Sequence, residues 1–421
     1  MTARLHTLAN GVRVLCDPMP GLETLALSVV AGRGARSEDP ARNGWSHLLE
    51  HMVFKGAGQR SARDIVEVVE AEGGSVNAAT GYERTSFQIR ALAGGLPLGL
   101  SVCADLVLRP TLDAGDLTKE KAVIAQEIAE AADTPDDLVF DLAQGAAFAG
   151  QPLGRPILGS VETLEPADVA ALAEWRAALY APDRLVISAA GAVDEDELLR
   201  LAEAEFGRLA AVDNRPAPEA AAFTAGHAGE ARKLEQTHVV LLLAAPGARD
   251  PDYFALRIFA EALGGGMSSR LFQEAREARG LAYAIDAYAE TYADVGLLGI
   301  YAGCAAGDAA ELASVAAGEL KALAGSIQDA ELARAKAQLK AALFMAREQP
   351  LHRAEAAAGQ ALLFGRPFGP GELAAAIDAV TAADIARLGE RLLEPRASAG
   401  AVLGAKSALK ATDMFDRALF G

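Results

Sequence analysis

Residues 43–54 read Asn43-Gly44-Trp45-Ser46-His47-Leu48-Leu49-Glu50-His51-Met52-Val53-Phe54. The apolar side chains of this stretch recur every three or four positions, which predicts a buried amphipathic helix. Residues four apart on a helix stand on one face, one turn above another. We therefore expect His47 and His51 to close on one metal ion, with Glu50 on the same side.

The spacing of this histidine pair suits a catalytic zinc site. Zinc in such sites takes three protein ligands and keeps a fourth position open for water. Glu50 lies too near the pair to swing round as the third ligand, and it suits the general base that takes a proton from water. A single histidine on an apolar helix is usually a hydrogen-bonded core residue. The chain has only six His, so two at this spacing with a glutamate between them favour metal binding.

Length and composition predict a globular protein of two or more domains. The chain has 421 residues, 51% of them hydrophobic and 23% charged. Its net charge of −18 argues against nucleic acid and against an anionic membrane surface as partners. The three cysteines show neither a disulfide framework nor zinc-ribbon spacing. No signal-peptide core or membrane-spanning run is present, so we expect a cytoplasmic protein.

Strand-like and helix-like patterns alternate through the first half. Alternation and turn signals predict strands at 12–18, 25–31, 75–80, 85–91 and 184–190. Apolar residues at helical spacing predict helices at 62–72, 95–107 and 116–132. A stretch rich in Pro, Ala and Gly follows at 213–229, which indicates a linker.

The second half repeats the order of the first. Gly34-Ala35-Arg36 recurs as Gly247-Ala248-Arg249, and the pattern at 165–169 recurs at 381–385. The offsets are 213 residues (247 − 34) and 216 residues (384 − 168). We therefore predict a metal-binding repeat at 1–212, a linker at 213–232 and a second repeat at 233–421. Where the histidine helix should recur, residues 254–263 contain no His, so one chain carries one metal site.

The third metal ligand is expected to be an acid, because the other histidines are isolated. The helix predicted at 116–132 offers Glu120 and Glu127, which are seven residues apart and thus on one face. Helical spacing alone leaves both residues open as the ligand.

Several motifs together are similar to one known family. They are the run 47–56 (His-Leu-Leu-Glu-His-Met-Val-Phe-Lys-Gly), the run 73–78 (Gly-Gly-Ser-Val-Asn-Ala) and Glu120 with Glu127, and the similarity continues through 152–159 and 180–183 to 264–272. The chain closely resembles the pitrilysin/insulysin family of zinc peptidases, whose signature is the inverted order H-x-x-E-H. The match is best to its short-chain branch, which includes the catalytic subunit of the mitochondrial processing peptidase and bacterial homologues. The resemblance implies an α+β fold of two homologous repeats, each an antiparallel sheet packed with helices, forming half of a clamshell.

The resemblance also implies roles for the residues of the metal site. It implies one zinc ion per chain, with His47, His51 and Glu127 as its ligands. Glu50 becomes the base. Glu120 becomes a second catalytic-site carboxylate, one that steers a ligand or the metal site.

Three further residues match substrate-binding positions of the family. Asn77 matches an Asn that holds substrate backbone near the metal, although a turn-closing amide is the alternative interpretation. Arg276 and Tyr283 match an Arg/Tyr pair that contacts substrate, and the Tyr is suited to donate to a developing oxyanion. Without the resemblance, a surface salt-bridging Arg and a core Tyr would be preferred. Residues 264–266 lack the spacing of a phosphate-binding loop and are expected to border the cavity.

These expectations describe a zinc-dependent endopeptidase that cleaves peptides and unfolded or leader segments inside a chamber formed by two chains. The substrate would lie extended against the strand at 75–80. The partner chain is either a second copy, making a homodimer, or an inactive paralogue, making a heterodimer. The alternative function is a non-catalytic peptide-binding or assembly subunit. Zinc-dependent hydrolysis of a non-peptide substrate is a third hypothesis, which no motif supports.

Overall fold

Two compact units make up the protein in this computed structural model, which describes residues 3–210 and 218–421. The first unit contains Met1–Ala129, Pro156–Pro218 and Phe344–Pro370, and the second contains Glu130–Arg155, Glu219–Leu343 and Gly371–Gly421. The predicted repeats were continuous in sequence. Each compact unit instead takes in one segment from the other half of the chain.

The strands fall into two large sheets and one small hairpin. Their bounds are β1 (Arg4–Thr7), β2 (Arg13–Pro18), β3 (Thr24–Ala31), β4 (Gly56–Ala57), β5 (Arg60–Ser61), β6 (Ser75–Thr80), β7 (Thr85–Leu92), β8 (Leu185–Gly191), β9 (Gly226–Ala231), β10 (Thr237–Ala245), β11 (Ala282–Thr291), β12 (Gly296–Cys304) and β13 (Ala399–Gly404).

Helices pack on both large sheets. Their bounds are α1 (Trp45–Val53), α2 (Ala62–Glu70), α3 (Leu96–Leu108), α4 (Ala114–Asp133), α5 (Pro135–Ala147), α6 (Val161–Leu164), α7 (Val169–Leu179), α8 (Glu195–Phe206), α9 (Tyr253–Gly264), α10 (Ala309–Gly325), α11 (Asp329–Ala346), α12 (Pro350–Phe364), α13 (Pro370–Ala379), α14 (Ala382–Leu393) and α15 (Ala411–Phe420). None of those among the described residues is long and apolar enough to cross a membrane.

The sheet of the first unit has the strand order β1-β2-β8-β3-β7-β6. All its pairs are antiparallel except β2 with β8. One face packs against α1, α3, α7 and α8 in the main core. Within the described chain β6 pairs with β7 alone, so its outer edge keeps free backbone groups.

The second unit is built in the same way around the order β11-β12-β10-β13-β9. Only β9 with β13 is parallel. The core lies between this sheet and α9, α10, α14 and α15. The predicted fold class is confirmed: each half is an α+β unit with a mainly antiparallel sheet.

Two helices are exchanged relative to the predicted repeats. Helix α12 belongs to the first unit, where Ala357, Ala358 and Ala361 pack against Leu15, Val30 and Val186 on the second face of the sheet. Arg353 of α12 forms a bidentate ion pair of 2.6 and 2.7 Å with the buried Asp17 of β2. Helix α5, from the first half of the sequence, packs against β13, β10 and β9 in the second unit.

Part of the predicted linker 213–232 has regular structure. Residues 211–217 lie outside the described residues. Gly226–Ala231, however, form β9, which pairs residue by residue with Ala399–Gly404. The small residues of this segment gave no strand signal, and the strand exists because β13 offers it a row of backbone partners.

Candidate metal centre

Helix α1 is fixed at its N-terminus by a carboxylate from the loop that precedes it. Its N-cap is Gly44, at φ 90°, which has no side chain to cap the helix. The buried Glu38 takes this role, since it accepts hydrogen bonds from the main-chain N–H groups of Gly44 (2.9 Å) and Ser46 (2.7 Å). A Cβ on Gly44 would lie 2.6 Å from the carbonyl oxygen of Leu158, so only glycine fits this approach.

The three predicted metal ligands lie together. His47 and His51 project from α1, and Glu127 reaches them from α4. The Nε2 atoms of His47 and His51 are 3.9 and 3.6 Å from Oε2 of Glu127. One ligand atom from each residue lies within 4.8 Å of the others. Tetrahedral zinc with bonds of about 2.0–2.1 Å holds its ligand atoms about 3.3 Å apart, so this donor set fits zinc.

The electrostatics of the histidines also suit a metal. Burial, and then the neighbouring His51, lower the pKa of His47 to about 4, which keeps its imidazole neutral. Neutral imidazole is the form that binds a metal ion. The Nδ1 atom of His47 is buried without a hydrogen-bond partner among the described residues.

Glu120 and Glu127 make different contacts in the structure, although helical spacing left both open as the third ligand. Glu120 is 5% exposed, and its Oε2 accepts a hydrogen bond of 3.1 Å from Nδ1 of His51. Its other oxygen lies 2.8 Å from Nζ of Lys55. Glu120 therefore meets the ring nitrogen that faces away from the ligand cluster, while Glu127 meets Nε2. A carboxylate on Nδ1 holds a histidine ring in the orientation and tautomer that present Nε2 to a metal.

Glu50 lies on α1 between the two histidines and contacts the end of β6. The hydroxyl of Thr80 donates a hydrogen bond to Oε2 of Glu50. Burial raises the pKa of Glu50, and the side-chain and main-chain bonds from Thr80 and the charge of His51 oppose this rise. A carboxylate with a raised pKa in a partly buried site is suited to accept a proton.

Asn77 is not part of the cluster of His47, His51 and Glu127. It lies in the middle of β6, where it is exposed and paired across the sheet with Gln88. Side chains alternate between faces along a strand, so Asn77 and Thr80 point to opposite faces of the sheet. Because Asn77 lies within a strand and not in a turn, its position does not fit the alternative of a turn-closing amide.

Arg276 and Tyr283 lie together in the second unit. Arg276 is in a π-helical segment, Phe272–Ala278, and Tyr283 is the second residue of strand β11. The guanidinium carbon of Arg276 is 4.6 Å from the ring centroid of Phe272 and 5.6 Å from that of Tyr283. Tyr283 is 75% exposed, so it is not a core tyrosine.

Comparison with known proteins assigns the family. The family model for insulinase, peptidase family M16, matches residues 13–161, and the model for the peptidase M16 inactive domain matches residues 166–339. A protein from Streptomyces coelicolor, named an uncharacterized zinc protease, is 35% identical over 94% of this chain and 88% of its own length. This chain belongs to peptidase family M16. A Bacillus subtilis protein with the same description is 36% identical over 86% of this M16 chain and 88% of its own length.

Solved structures share the fold of this M16 chain at lower identity. A protease from Helicobacter pylori has a TM-score of 0.88 at 21% identity and covers 96% of this chain and 99% of its own. A chain of complex III₂ from Candida albicans has a TM-score of 0.86 at 22% identity, with 99% of both chains covered. The family models and the relatives confirm the resemblance inferred from the motifs, and these structures confirm its fold. His47, His51 and Glu127 lie in the region that matches the insulinase model, and Arg276 and Tyr283 lie in the region that matches the inactive domain.

Three residues at the centre of this M16 chain were not singled out from the sequence: Glu38, Lys55 and Thr80. Glu38 and Thr80 act on α1 from a loop and from a strand end. Their only sequence signal is polarity, Glu38 before the run 47–56 and Thr80 after the run 73–78. Lys55 follows the motif directly, and its spacing of four from His51 is the one hint that it lies near the centre.

Proposed function

We propose that this chain is a zinc-dependent endopeptidase acting on peptides and on unfolded or leader segments. The observation that carries the proposal is the cluster of His47, His51 and Glu127 with Glu50 beside it. Relatives across most of the chain are named zinc proteases, which supports the same metal and the same kind of substrate.

Each residue of the centre has a separate task. His47, His51 and Glu127 hold one zinc ion per chain, and Glu120 orients His51 through its Nδ1–H. Bound zinc would supply Lewis-acid chemistry, which polarises the scissile carbonyl. The carboxylate of Glu50 takes a proton from the attacking water and passes it on to the leaving amine.

The substrate binds as an added strand. The free edge of β6 presents alternate N–H and C=O groups, and an extended peptide pairs with such an edge through its backbone. Asn77 assists by holding substrate backbone. Arg276 and Tyr283 contact substrate as well, with the Tyr283 hydroxyl donating to the developing oxyanion. The 75% exposure of Tyr283 supports this role, because the hydroxyl is available to a ligand.

Two chains together enclose the substrate. The functional unit is a homodimer, and a heterodimer with an inactive paralogue is the other arrangement. The chain carries both the metal ligands and the Arg276/Tyr283 pair, which makes a self-sufficient homodimer the simpler assembly.

Metal removal tests the proposal. Purified protein should contain close to one zinc per chain by mass spectrometry of the metal, and it should cleave a mixed peptide library. A chelator should abolish cleavage and added zinc should restore it. The far-ultraviolet dichroism should not change, because the centre overlies a large core that does not depend on it for folding.

Other results would contradict the proposal. Zinc binding without cleavage of any peptide would favour a non-catalytic binding or assembly subunit. Loss of helical signal on chelation would indicate a structural metal.

A further inference from the structure

Thr80 provides the side-chain hydrogen bond that Glu50 receives in the described structure. Its hydroxyl donates to Oε2 of Glu50, and both groups are partly buried. A main-chain hydrogen bond from Thr80 also reaches the Glu50 carboxylate, so the end of β6 contacts this group through both its side chain and its backbone.

The backbone that carries Thr80 is held rigidly. Thr80 is the last residue of β6 and pairs with Thr85 across the hairpin. The turn that follows is closed by Gly81 N–H donating to the carbonyl of Arg84 at 2.8 Å, and the carbonyl of Gly81 accepts from Ala35 N–H at 3.0 Å. A Cβ on Gly34 would lie 2.1 Å from the carbonyl oxygen of Gly81, so this loop packs directly on the turn.

The helix that carries Glu50, α1, is also held in place. Glu38 binds the first N–H groups of α1, which sets the start of the helix that presents Glu50. The long glutamate side chain still has several rotatable bonds, and fixing them needs a contact at the carboxylate itself. A base must lie within hydrogen-bond reach of its proton, and a displacement of about 1 Å can cost about 100-fold in rate.

We propose that Thr80 is a positioning residue for Glu50: its hydroxyl holds Oε2 and so keeps the carboxylate in the position from which it accepts the proton of the attacking water. This inference rests on the proposed function, because positioning matters only if Glu50 is the base. Thr80 lies at the end of β6, the strand whose outer edge binds the substrate in the proposed function.

The test compares substitutions that keep or remove the hydroxyl. Thr80→Val keeps the shape and removes the donor, while Thr80→Ser keeps the donor. Thr85→Val is the matched control, because Thr85 is buried, lies opposite Thr80 in the same hairpin, and donates to the carbonyl of Arg33 at 3.3 Å instead of to Glu50. The measurements are kcat and KM for one peptide, zinc content and the thermal melt. Crystal structures of wild type and Thr80→Val show the position of the Glu50 carboxylate.

Thr80→Val should lower kcat by about 10- to 100-fold with KM and zinc content unchanged. Thr80→Ser should return kcat to within about threefold of wild type, and Thr85→Val should leave it within about twofold. The Glu50 carboxylate should be displaced or disordered in Thr80→Val. If Thr80→Val does not fold, Thr80→Ala takes its place with the same expectation.

Several outcomes would overturn the inference. They are an unchanged kcat in Thr80→Val, a loss that Thr80→Ser does not rescue, a change confined to KM, and a loss of zinc. Failure of the proposed function is a separate result, in which wild type with full zinc cleaves no peptide. In that case the crystal structures still decide whether Thr80 holds the carboxylate, and an unmoved Glu50 in Thr80→Val would reject it.

Discussion

Helices α1 and α9 occupy equivalent places in the two repeats, but they carry different side chains. Each packs against the edge strand of its own sheet, α1 on β6 and α9 on β11. Helix α1 presents two histidines and a glutamate toward a site. The corresponding positions of α9 are mostly buried apolar residues, and the helix contains no His.

The ends of these helices are also held in different ways. The N-terminus of α1 binds the buried Glu38, which is 2% exposed. At the N-terminus of α9, Asp250 and Asp252 pair instead with Arg387 and Arg391 of α14, whose side chains are 56% and 46% exposed. The duplicated scaffold therefore retains the helix and its packing, while the polar groups serve a site in one copy and a surface ion-pair network in the other.

The largest expected effect separates the glutamates of the two helices. Glu50→Gln should lower kcat by about 10²- to 10⁴-fold with zinc content unchanged, because the amide keeps the shape but cannot accept a proton. Glu261→Gln, on α9, is the control and should have wild-type kinetics. Near wild-type turnover in Glu50→Gln would show that Glu50 is not the base.

Zinc affinity should distinguish the two glutamates of α4. Glu120→Ala removes the group that orients His51 and should weaken zinc binding by about 10- to 100-fold. Glu127→Ala removes a bond to the metal and should weaken it further, as should His51→Ala. Competition with a chromophoric chelator measures each affinity. Full zinc occupancy in Glu127→Ala would transfer the ligand role to Glu120.

Complementation should show whether the repeats of two chains cooperate. In the proposed homodimer, we expect the Arg276/Tyr283 pair of one chain to serve the zinc of its partner. Glu50→Gln homodimers should be inactive, and homodimers of Arg276→Ala with Tyr283→Phe strongly impaired. Exchange between them makes about half of the dimers mixed, each with one intact site of two, so activity should recover to about a quarter of wild type.

A tag pull-down confirms the exchange in that experiment. If exchange has occurred and activity stays at the average of the two parents, the site is built within one chain.

The smallest expected effects compare the two helix N-termini. Glu38→Gln should lower the free energy of unfolding by about 1–3 kcal/mol, because an amide replaces a buried charged acceptor of two N–H groups. Asp252→Asn should cost only about 0–1 kcal/mol, since its arginine partners are largely exposed to solvent. Denaturant titrations of the two variants measure both values. An equal cost would mean that the surface network stabilises α9 as strongly as Glu38 stabilises α1.

Local periodicity was a good guide to the elements around the site. The strands expected at 75–80 and 85–91 are Ser75–Thr80 and Thr85–Leu92, and the helix expected at 116–132 is Ala114–Asp133. These elements have strong alternation or helical spacing of apolar residues, which reports directly which face is buried. The strand β9 was missed because Gly and Ala alternate weakly and its partner lies far along the chain.

The sequence by itself determined the parts of this protein that depend on short-range spacing. Two histidines four apart must share a helix face, the absence of His at 254–263 restricts the motif to one repeat, and the paired motifs predict a duplication. Only the tertiary structure decided which glutamate meets Nε2 and which meets Nδ1, that α5 and α12 change units, and that Glu38 and Thr80 hold α1 and its glutamate. The reason is physical: helix and strand periods report the direction of a side chain within its own element, whereas these contacts join an element to a loop or to another element, whose position the periods do not report.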